Sequence, residues 1–429
     1  MGTTNPFKSQ PLFFTKKLIT WALYALLPLT LLHFYFYPLP LKQSLTDQIP
    51  ENKPIIVSSQ VEQQVFYEAP CDYNDGKWVR DESGPLYNGT SCTTIKEGQN
   101  CISHGRPDID YLYWRWEPKQ CGLPRFDPTA FLRLLKNKHL AFIGDSMARN
   151  QLESLLCLLS TVSTPDLVYR NGDDNKFRRW YIPSHNTNVS IYWSPFLVKG
   201  IEKSNTGVNY NRLYLDSVDD RWASDMGQMD IIVFSIGHWF LHPAVYFEND
   251  SVLGCHYCPE LNHTEIGFYD VFRKAFNTTL ETVISSRRGT NSNAIDVIVT
   301  TFSPSHFEGE WDKAGACPKK EPFMEGEKEL QPMDAEMRKI EIEVVEAAMK
   351  KGNQFPGLRF EALDVTILSW MRPDAHPGPY MHPFPFANGI PERVQNDCVH
   401  WCLPGPTDIW NAILLEVMKR WEVQSWKQG

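Results

Sequence analysis

His139-Leu-Ala-Phe-Ile-Gly-Asp-Ser-Met-Ala-Arg-Asn-Gln-Leu-Glu-Ser-Leu-Leu-Cys-Leu-Leu159 changes its hydrophobic pattern once, in the middle. Leu140 to Ile143 is a short apolar run that reads as a buried strand, and Gly144-Asp145-Ser146 breaks it. Beyond the break, Leu152, Leu155, Leu156 and Leu159 recur at i, i+3, i+4 and i+7, which is one face of an α-helix. Ser146 therefore falls where a strand hands over to a helix N-terminus. Free backbone amides and the positive end of the helix dipole at such a place can stabilise a developing oxyanion. Two roles are open to this serine on its own: nucleophile, or helix cap.

The alternation continues downstream. Ile231–Phe234 and Val297–Thr300 are apolar runs with the character of central parallel strands, and Leu358–Leu363 is a weaker third. Helical periodicity covers roughly 265 to 286 (Phe272, Phe276, Leu280) and 333 to 351 (Met337, Ile340, Val344, Ala347). Strands alternating with helices predict an α/β fold with a doubly wound, mostly parallel sheet and an active site at the strand C-terminal ends. Three loops meet that description: Ser146, Gly237-His238-Trp239, and Thr301-Phe-Ser-Pro-Ser-His306. Residues 160 to 225 show no clear period.

The chain has 429 residues, 42% hydrophobic and 22% charged, an ordinary globular composition. Its formal net charge of −9 gives no sign of the clustered basic face that a nucleic-acid partner needs, so none is expected. Residues 1–17 form a basic tail (Lys8, Lys16, Lys17), and residues 18–37 carry no Asp, Glu, Lys or Arg. About 20 residues at a rise of about 1.5 Å span a hydrocarbon core of roughly 30 Å. The lysines place the tail in the cytosol and the remainder in a lumen, as in a single-pass type II protein. Pro38-Leu-Pro-Leu-Lys42 offers no small-residue cleavage site, so the segment reads as an uncleaved signal anchor. Residues 38–70 read as a stem, 71–128 as a Cys-rich subdomain (Cys71, Cys92, Cys101, Cys121), and 129–425 as the catalytic domain. All ten cysteines follow the apolar segment, and Asn88, Asn188, Asn249, Asn262 and Asn277 head glycosylation sequons. Both point to an oxidising lumen and disulfides. No zinc spacing occurs: Cys255-His-Tyr-Cys258 lacks a second pair, and His238, His242, His256 and His263 match no ligand set, so no metal is expected.

A serine nucleophile needs a base and an orienting acid. Asn396-Asp-Cys-Val-His-Trp-Cys402 supplies both. Asp397 and His400, three apart on a loop, can meet through the imidazole Nδ1–H and leave Nε2 for the serine. Cys398 and Cys402 straddle the histidine, and a helix begins near Thr407. His376, in Asp374-Ala-His-Pro-Gly378, and His238 are rivals. His376 is a turn residue or an acceptor contact, and His238 orients its loop or lines the pocket. The Gly-x-Ser-x-Gly elbow of α/β-hydrolases is absent at Ser146.

Gly144-Asp145-Ser146 with Asp397-x-x-His400 resembles the GDSL/SGNH esterase-like superfamily. Gly105-Arg-Pro-Asp108, Trp114-Arg-Trp116, Gly237-His-Trp239 and Asp397-Cys-Val-His-Trp-Cys-Leu-Pro-Gly-Pro406 narrow the likeness. Over about residues 71 to 420 the chain resembles the plant trichome birefringence-like family of Golgi polysaccharide O-acetyltransferases. Gln151-Leu-Glu-Ser-Leu-Leu-Cys157, Trp193-Ser-Pro-Phe-Leu-Val-Lys199 and Ser305-His-Phe-Glu-Gly309 are similar to its xyloglucan branch, although xylan- and mannan-acetylating relatives share the main motifs. The resemblance implies an SGNH/GDSL-like three-layer α/β/α fold on a Golgi membrane, with the catalytic domain in the lumen. It implies ping-pong transfer in which Ser146, activated by His400 and Asp397, takes acetyl from acetyl-CoA or a derived donor and passes it to a hemicellulose hydroxyl. No bound cofactor is implied, and Golgi acetylation-complex proteins are further expected partners. The Ser146 amide and the Gly237 loop would form the oxyanion hole, with Arg149 or Asn150 in place of the side-chain Asn usual in SGNH enzymes. Trp114, Trp239 and His376 are candidate acceptor contacts. The implied disulfides are Cys71–Cys121, Cys92–Cys157, Cys101–Cys402 and Cys317–Cys398, leaving Cys255 and Cys258 to pair with each other. A polysaccharide acetylesterase with the same triad, and a non-enzymatic wall-polysaccharide binder, are the alternatives.

Overall fold

The computed structural model describes residues 71–171, 176–204, 207–286 and 294–428. The expected tail, anchor over 18–37 and stem lie outside them. Among the described residues no helix is long and apolar enough to cross a membrane.

In chain order the strands are β1 (Gly76–Arg80), β2 (Trp114–Pro118), β3 (His139–Gly144), β4 (Asp166–Asn171), β5 (Phe177–Ile182), β6 (Thr187–Trp193), β7 (Val198–Ile201), β8 (Asn211–Val218), β9 (Ile231–Ser235), β10 (Ala244–Glu248), β11 (Ser251–His256), β12 (Ile295–Thr300) and β13 (Leu358–Leu363). Seven of them form the central sheet, ordered β13-β12-β9-β3-β6-β5-β4. The first five are mutually parallel, while β5 and β4 extend the edge antiparallel. The central strands β3, β9 and β12 are buried on both faces, which is why they read as unbroken apolar runs. Side chains alternate between the faces. Leu140, Phe142, Ile231, Val233, Ile298 and Leu363 pack with the helices Pro128–Leu134, Ser146–Ser160 and Pro406–Gln428. Ala141, Ile143, Ile232, Phe234, Val297 and Val299 pack on the other side with Tyr269–Ser285 and Pro332–Gly352. The result is the three-layer α/β/α arrangement.

The stretch without a clear period contains β4 to β8. β4 is exposed along its whole length, so nothing imposes alternation on it. β7 and β8 join β10 and β11 in a separate four-stranded sheet, ordered β11-β10-β8-β7.

The Cys-rich piece clamps onto the main domain rather than standing apart. Its β1–β2 pair is closed by Cys71–Cys121, and Cys92–Cys157 and Cys101–Cys402 tie it to the helix after Ser146 and to the loop after His400. Cys317–Cys398 completes the four pairings that the resemblance implied, and the two remaining cysteines form Cys255–Cys258.

Candidate active site

β3 ends at Gly144, where a Cβ would overlap the Ser235 carbonyl oxygen on the neighbouring strand; only glycine lets the two strand ends approach. The helix then starts at Ser146 with Asp145 as its cap. Asp145 Oδ1 accepts from the Met147 amide at 2.8 Å, and Oδ2 accepts from the Gly237 amide at 3.1 Å. The serine therefore has no capping duty and stands, partly exposed, in the first turn. Burial pushes the Asp145 carboxyl up to about 6, against those two hydrogen bonds and the nearby His400. The same contact revises an expectation: the Gly237 amide points at Asp145, so it is not free to donate to an oxyanion. The Ser146 amide remains one of the amides that a helix start leaves without an intrahelical acceptor.

The loop before the C-terminal helix brings in the other two groups. His400 Nδ1 lies 2.7 Å from Asp397 Oδ2, while the amides of Val399 and His400 donate to Asp397 Oδ1 at 3.0 and 2.9 Å. Burial alone would raise the Asp397 pKa, but the His400 charge and these hydrogen bonds outweigh it and hold the carboxyl well below the usual range. His400 Nε2 is buried and has no hydrogen-bond partner. The serine–histidine hydrogen bond is thus open here, as is common before substrate binds.

Asn150 draws the two elements together. Its Oδ1 accepts from the Trp401 amide at 2.7 Å, and its Nδ2 donates to the Trp401 carbonyl at 3.2 Å. The residue after His400 is thereby fixed one helical turn from Ser146. Asn150 is fully buried, so it positions the histidine loop and is not an oxyanion donor, contrary to expectation. His376 is also corrected. It is buried, stacks on Trp401 with ring centroids 4.1 Å apart, and places Nδ1 2.7 Å from the His400 carbonyl, so it cannot meet an acceptor. Its Nε2 lies 2.7 Å from His306 Nδ1. His238 donates from Nε2 to the Ser303 carbonyl at 2.9 Å, joining the second and third loops; burial pushes its pKa down to about 4, so the ring is neutral near pH 7.

The aromatic candidates divide. Trp239 is half-buried and meets Trp193 and Phe196 edge-on, close to the end of β3. Trp114 lines a cavity of about 120 Å³ with Leu158 and Ala412. Leu158 is twelve residues along the helix from Ser146, roughly 18 Å at the helical rise. Trp114 is therefore not part of this site. Arg149 lays its guanidinium over Trp193 at 5.4 Å, and its Nε is buried without a partner. Arg106, in the Gly105-Arg-Pro-Asp108 motif, has a role that the sequence does not show. It donates to the carbonyls of His376 and Asp374 at 2.8 and 2.6 Å, and with the Cys101–Cys402 bond it makes the Cys-rich piece a brace for the histidine loop. Such a role depends on contacts across more than 250 residues, which local patterning does not register.

A serine at a strand-to-helix junction, an Asp–His pair on the loop before the last helix, and a three-layer α/β/α fold together have the form of a serine acyl-transfer enzyme of the SGNH kind. The chain belongs to the GDSL/SGNH-like acyl-esterase family found in Pmr5 and Cas1p, which residues 123–417 match. Residues 69–122 match the PMR5 N-terminal domain, the Cys-rich piece described above. Xyloglucan O-acetyltransferase 1 of Populus trichocarpa is 66% identical over 98% of this chain and 99% of its own length. Xyloglucan O-acetyltransferase 1 of Arabidopsis thaliana is 62% identical over 83% of this chain and 82% of its own. Protein trichome birefringence-like 26 of Arabidopsis thaliana is 42% identical over 90% and 84%.

Proposed function

We propose that this protein is a polysaccharide O-acetyltransferase that acetylates xyloglucan, at galactose residues of its side chains, through an acetyl-serine intermediate. The acceptor class follows the relatives, two of which carry xyloglucan O-acetyltransferase in their names at above 60% identity. The chemistry rests on one observation: His400 Nε2 is buried and unpartnered while Asp397 fixes Nδ1, beside a serine whose capping duty Asp145 has taken. Ser146 Oγ attacks the donor's acetyl carbonyl and passes its proton to His400 Nε2. The Ser146 amide and the helix dipole stabilise the tetrahedral oxyanion. As the donor's carbon–sulfur or carbon–oxygen bond breaks, His400 returns the proton to the leaving group. A sugar hydroxyl then gives its proton to the same nitrogen and attacks the acetyl-serine, regenerating Ser146. The donor is acetyl-CoA or a derivative of it. The basic tail and uncharged segment 18–37 support a type II anchor in the Golgi membrane, with the site facing the lumen and neighbouring acetylation proteins within reach.

The test is incubation of the full chain with an acetyl donor and de-acetylated xyloglucan oligosaccharides, followed by mass spectrometry. A gain of one acetyl per oligosaccharide, absent with Ser146→Ala, is the expected result. Acetate release from acetylated oligosaccharides without transfer would replace the transferase with an esterase.

A further inference from the structure

His306 ends the third loop, His376 packs against the histidine loop, and their rings meet inside the protein, the residues 6% and 4% exposed. His306 Nδ1 is 2.7 Å from His376 Nε2. The outer nitrogens face backbone carbonyls: His306 Nε2 that of Trp370 at 2.8 Å, and His376 Nδ1 that of His400 at 2.7 Å. A carbonyl oxygen only accepts, so each outer nitrogen carries a proton. A neutral imidazole has one N–H, and that one is then spent. Two neutral rings would thus face each other across 2.7 Å with a lone pair on each side. Changing tautomer does not help, because moving either proton to the inner contact turns a lone pair toward a carbonyl. Three contacts need three protons, and two neutral rings bring two.

We propose that His306 and His376 share a third proton between their rings, and that this buried monocation positions His400 through its backbone carbonyl. The inference rests on the reading of His400 as the base and adds two positioning residues to it. Burial pushes both rings toward the neutral form. Local contacts oppose it. The inner hydrogen bond is charge-assisted, and each ring stacks on an indole, His306 on Trp370 at 5.0 Å and His376 on Trp401 at 4.1 Å between centroids. Such π faces attract a cation. Asp397 favours charge on His376 and Glu308 favours it on His306, while His400 and Lys328 act against it. Arg106 donates to the His376 carbonyl, and the neighbouring Arg372 and Asp374 pair with each other. A fourth proton would set two cations side by side, so the pair carries one charge or none. Once the shared proton leaves, as pH rises, the chain of contacts from Trp370 through both rings to His400 breaks at one link.

The test uses the full chain and 4-nitrophenyl acetate, with acetyl-Ser146 followed by intact mass from about pH 5 to 9. A histidine base alone gives a rate that rises with pH to a plateau. We expect the rate at saturating ester to fall again on the alkaline side, by about tenfold or more, with the half-saturating concentration unchanged, because proton loss displaces His400 and not the substrate. His306→Asn is the decisive variant. Its amide Nδ2 takes the place of Nδ1 and donates to His376 Nε2 without a charge, so the alkaline fall should vanish. His306→Leu, of similar size and with no donor, should be flat as well but about tenfold or more slower than His306→Asn. A wild-type plateau, a fall that His306→Asn retains, or equal rates for the Leu and Asn variants overturns the proposal. Ring-nitrogen NMR of the histidine-labelled wild type decides it without turnover or substitution. Three of the pair's four ring nitrogens should be protonated at the acid end and two at the alkaline end. One protonated and one bare nitrogen in each ring throughout sinks it. No acetyl-Ser146 at any pH would overturn the acetyl-serine reading, and the NMR result would still decide the shared proton.

Discussion

The two ends of the helix Ser146–Ser160 carry polar clusters of opposite design. Toward its C-terminal half, groups answer one another. Ser154 Oγ and Tyr87 Oη both donate to Asp408 Oδ1, at 2.5 and 2.8 Å, and the Gly405 amide donates to Oδ2 at 3.3 Å. Asn411 donates to Ser154 Oγ and the Gln151 carbonyl at 3.0 and 3.1 Å, and Thr300 donates to Gln151 Oε1 at 3.1 Å. At the N-terminal end the design is left open, with His400 Nε2 and Arg149 Nε buried and unanswered. Each end also holds one buried carboxyl pushed up to about 6 by burial, Asp145 or Asp408. Burial and pKa alone would not tell the ends apart. Unpaired buried groups do not either, since Thr407 Oγ1 and Trp410 Nε1 beside Asp408 are also without partners; what does is the Asp397–His400 pair, which leaves an imidazole nitrogen open at the serine end.

Substitutions that remove the open groups should have the largest effect on turnover. Ser146→Ala should abolish acetyl-enzyme, and His400→Ala should lower kcat/KM for acetyl transfer by about 10⁴-fold or more. Circular dichroism should remain near wild type for both, and thermal melting for Ser146→Ala; His400→Ala should melt lower, because it takes away the partner of Asp397 Oδ2. A His400→Ala variant within tenfold of wild type would break the contrast outright and move the base elsewhere.

Asn150→Ala is the next largest and the sharper probe. It deletes no reacting group, yet it frees both backbone groups of Trp401 beside His400. A loss of about 10²-fold in kcat with little change in KM is expected, because displacing a catalytic group by about 1 Å costs that much. Stability should fall by about 1–3 kcal/mol from the unpaired Trp401 groups. A change in KM alone would return Asn150 to the substrate pocket.

Much of this arrangement was legible beforehand, for identifiable reasons. β3, β9 and β12 are buried on both faces, so composition alone marks them, and the strand-to-helix switch at Gly144 is local. Asp397 and His400 sit three residues apart, within the reach of a motif. Assigning Asn150, Arg106 and Gly237 required contacts across long stretches of chain. Asn150 and Gly237 lay in quoted motifs, but the sequence pointed both at the oxyanion because it could not show that Trp401 and Asp145 already engage them. His376 misled for a similar reason: a histidine among Pro and Gly reads as an exposed turn, whereas here the turn is packed beneath Arg106 and Trp401.

The smallest effect on activity is expected from the far end, where Asp408→Asn should leave kcat/KM within about twofold while altering stability. Asp408 accepts three hydrogen bonds, and desolvation of its carboxyl lifts its pKa in the fold to about 6, above the ordinary value of 3.8. Between those values the folded protein binds more protons than the unfolded chain, so this group makes stability fall as pH rises from about 4 to 6. Asp408→Asn removes that dependence, and the slope of melting temperature against pH over this interval should become shallower. It should not vanish, since Asp145 and Asp334 are also pushed up to about 6 and act with the same sign. At neutral pH the variant should still melt lower, by about 1–3 kcal/mol, because an amide N–H₂ would face either the Gly405 amide or the hydroxyls of Ser154 and Tyr87. Scanning calorimetry at several pH values, with acetyl transfer measured on the same samples, separates the two effects. If Asp408→Asn lost as much turnover as Asn150→Ala, the helix would be transmitting strain from one cluster to the other, and the two ends would have to be treated as one site.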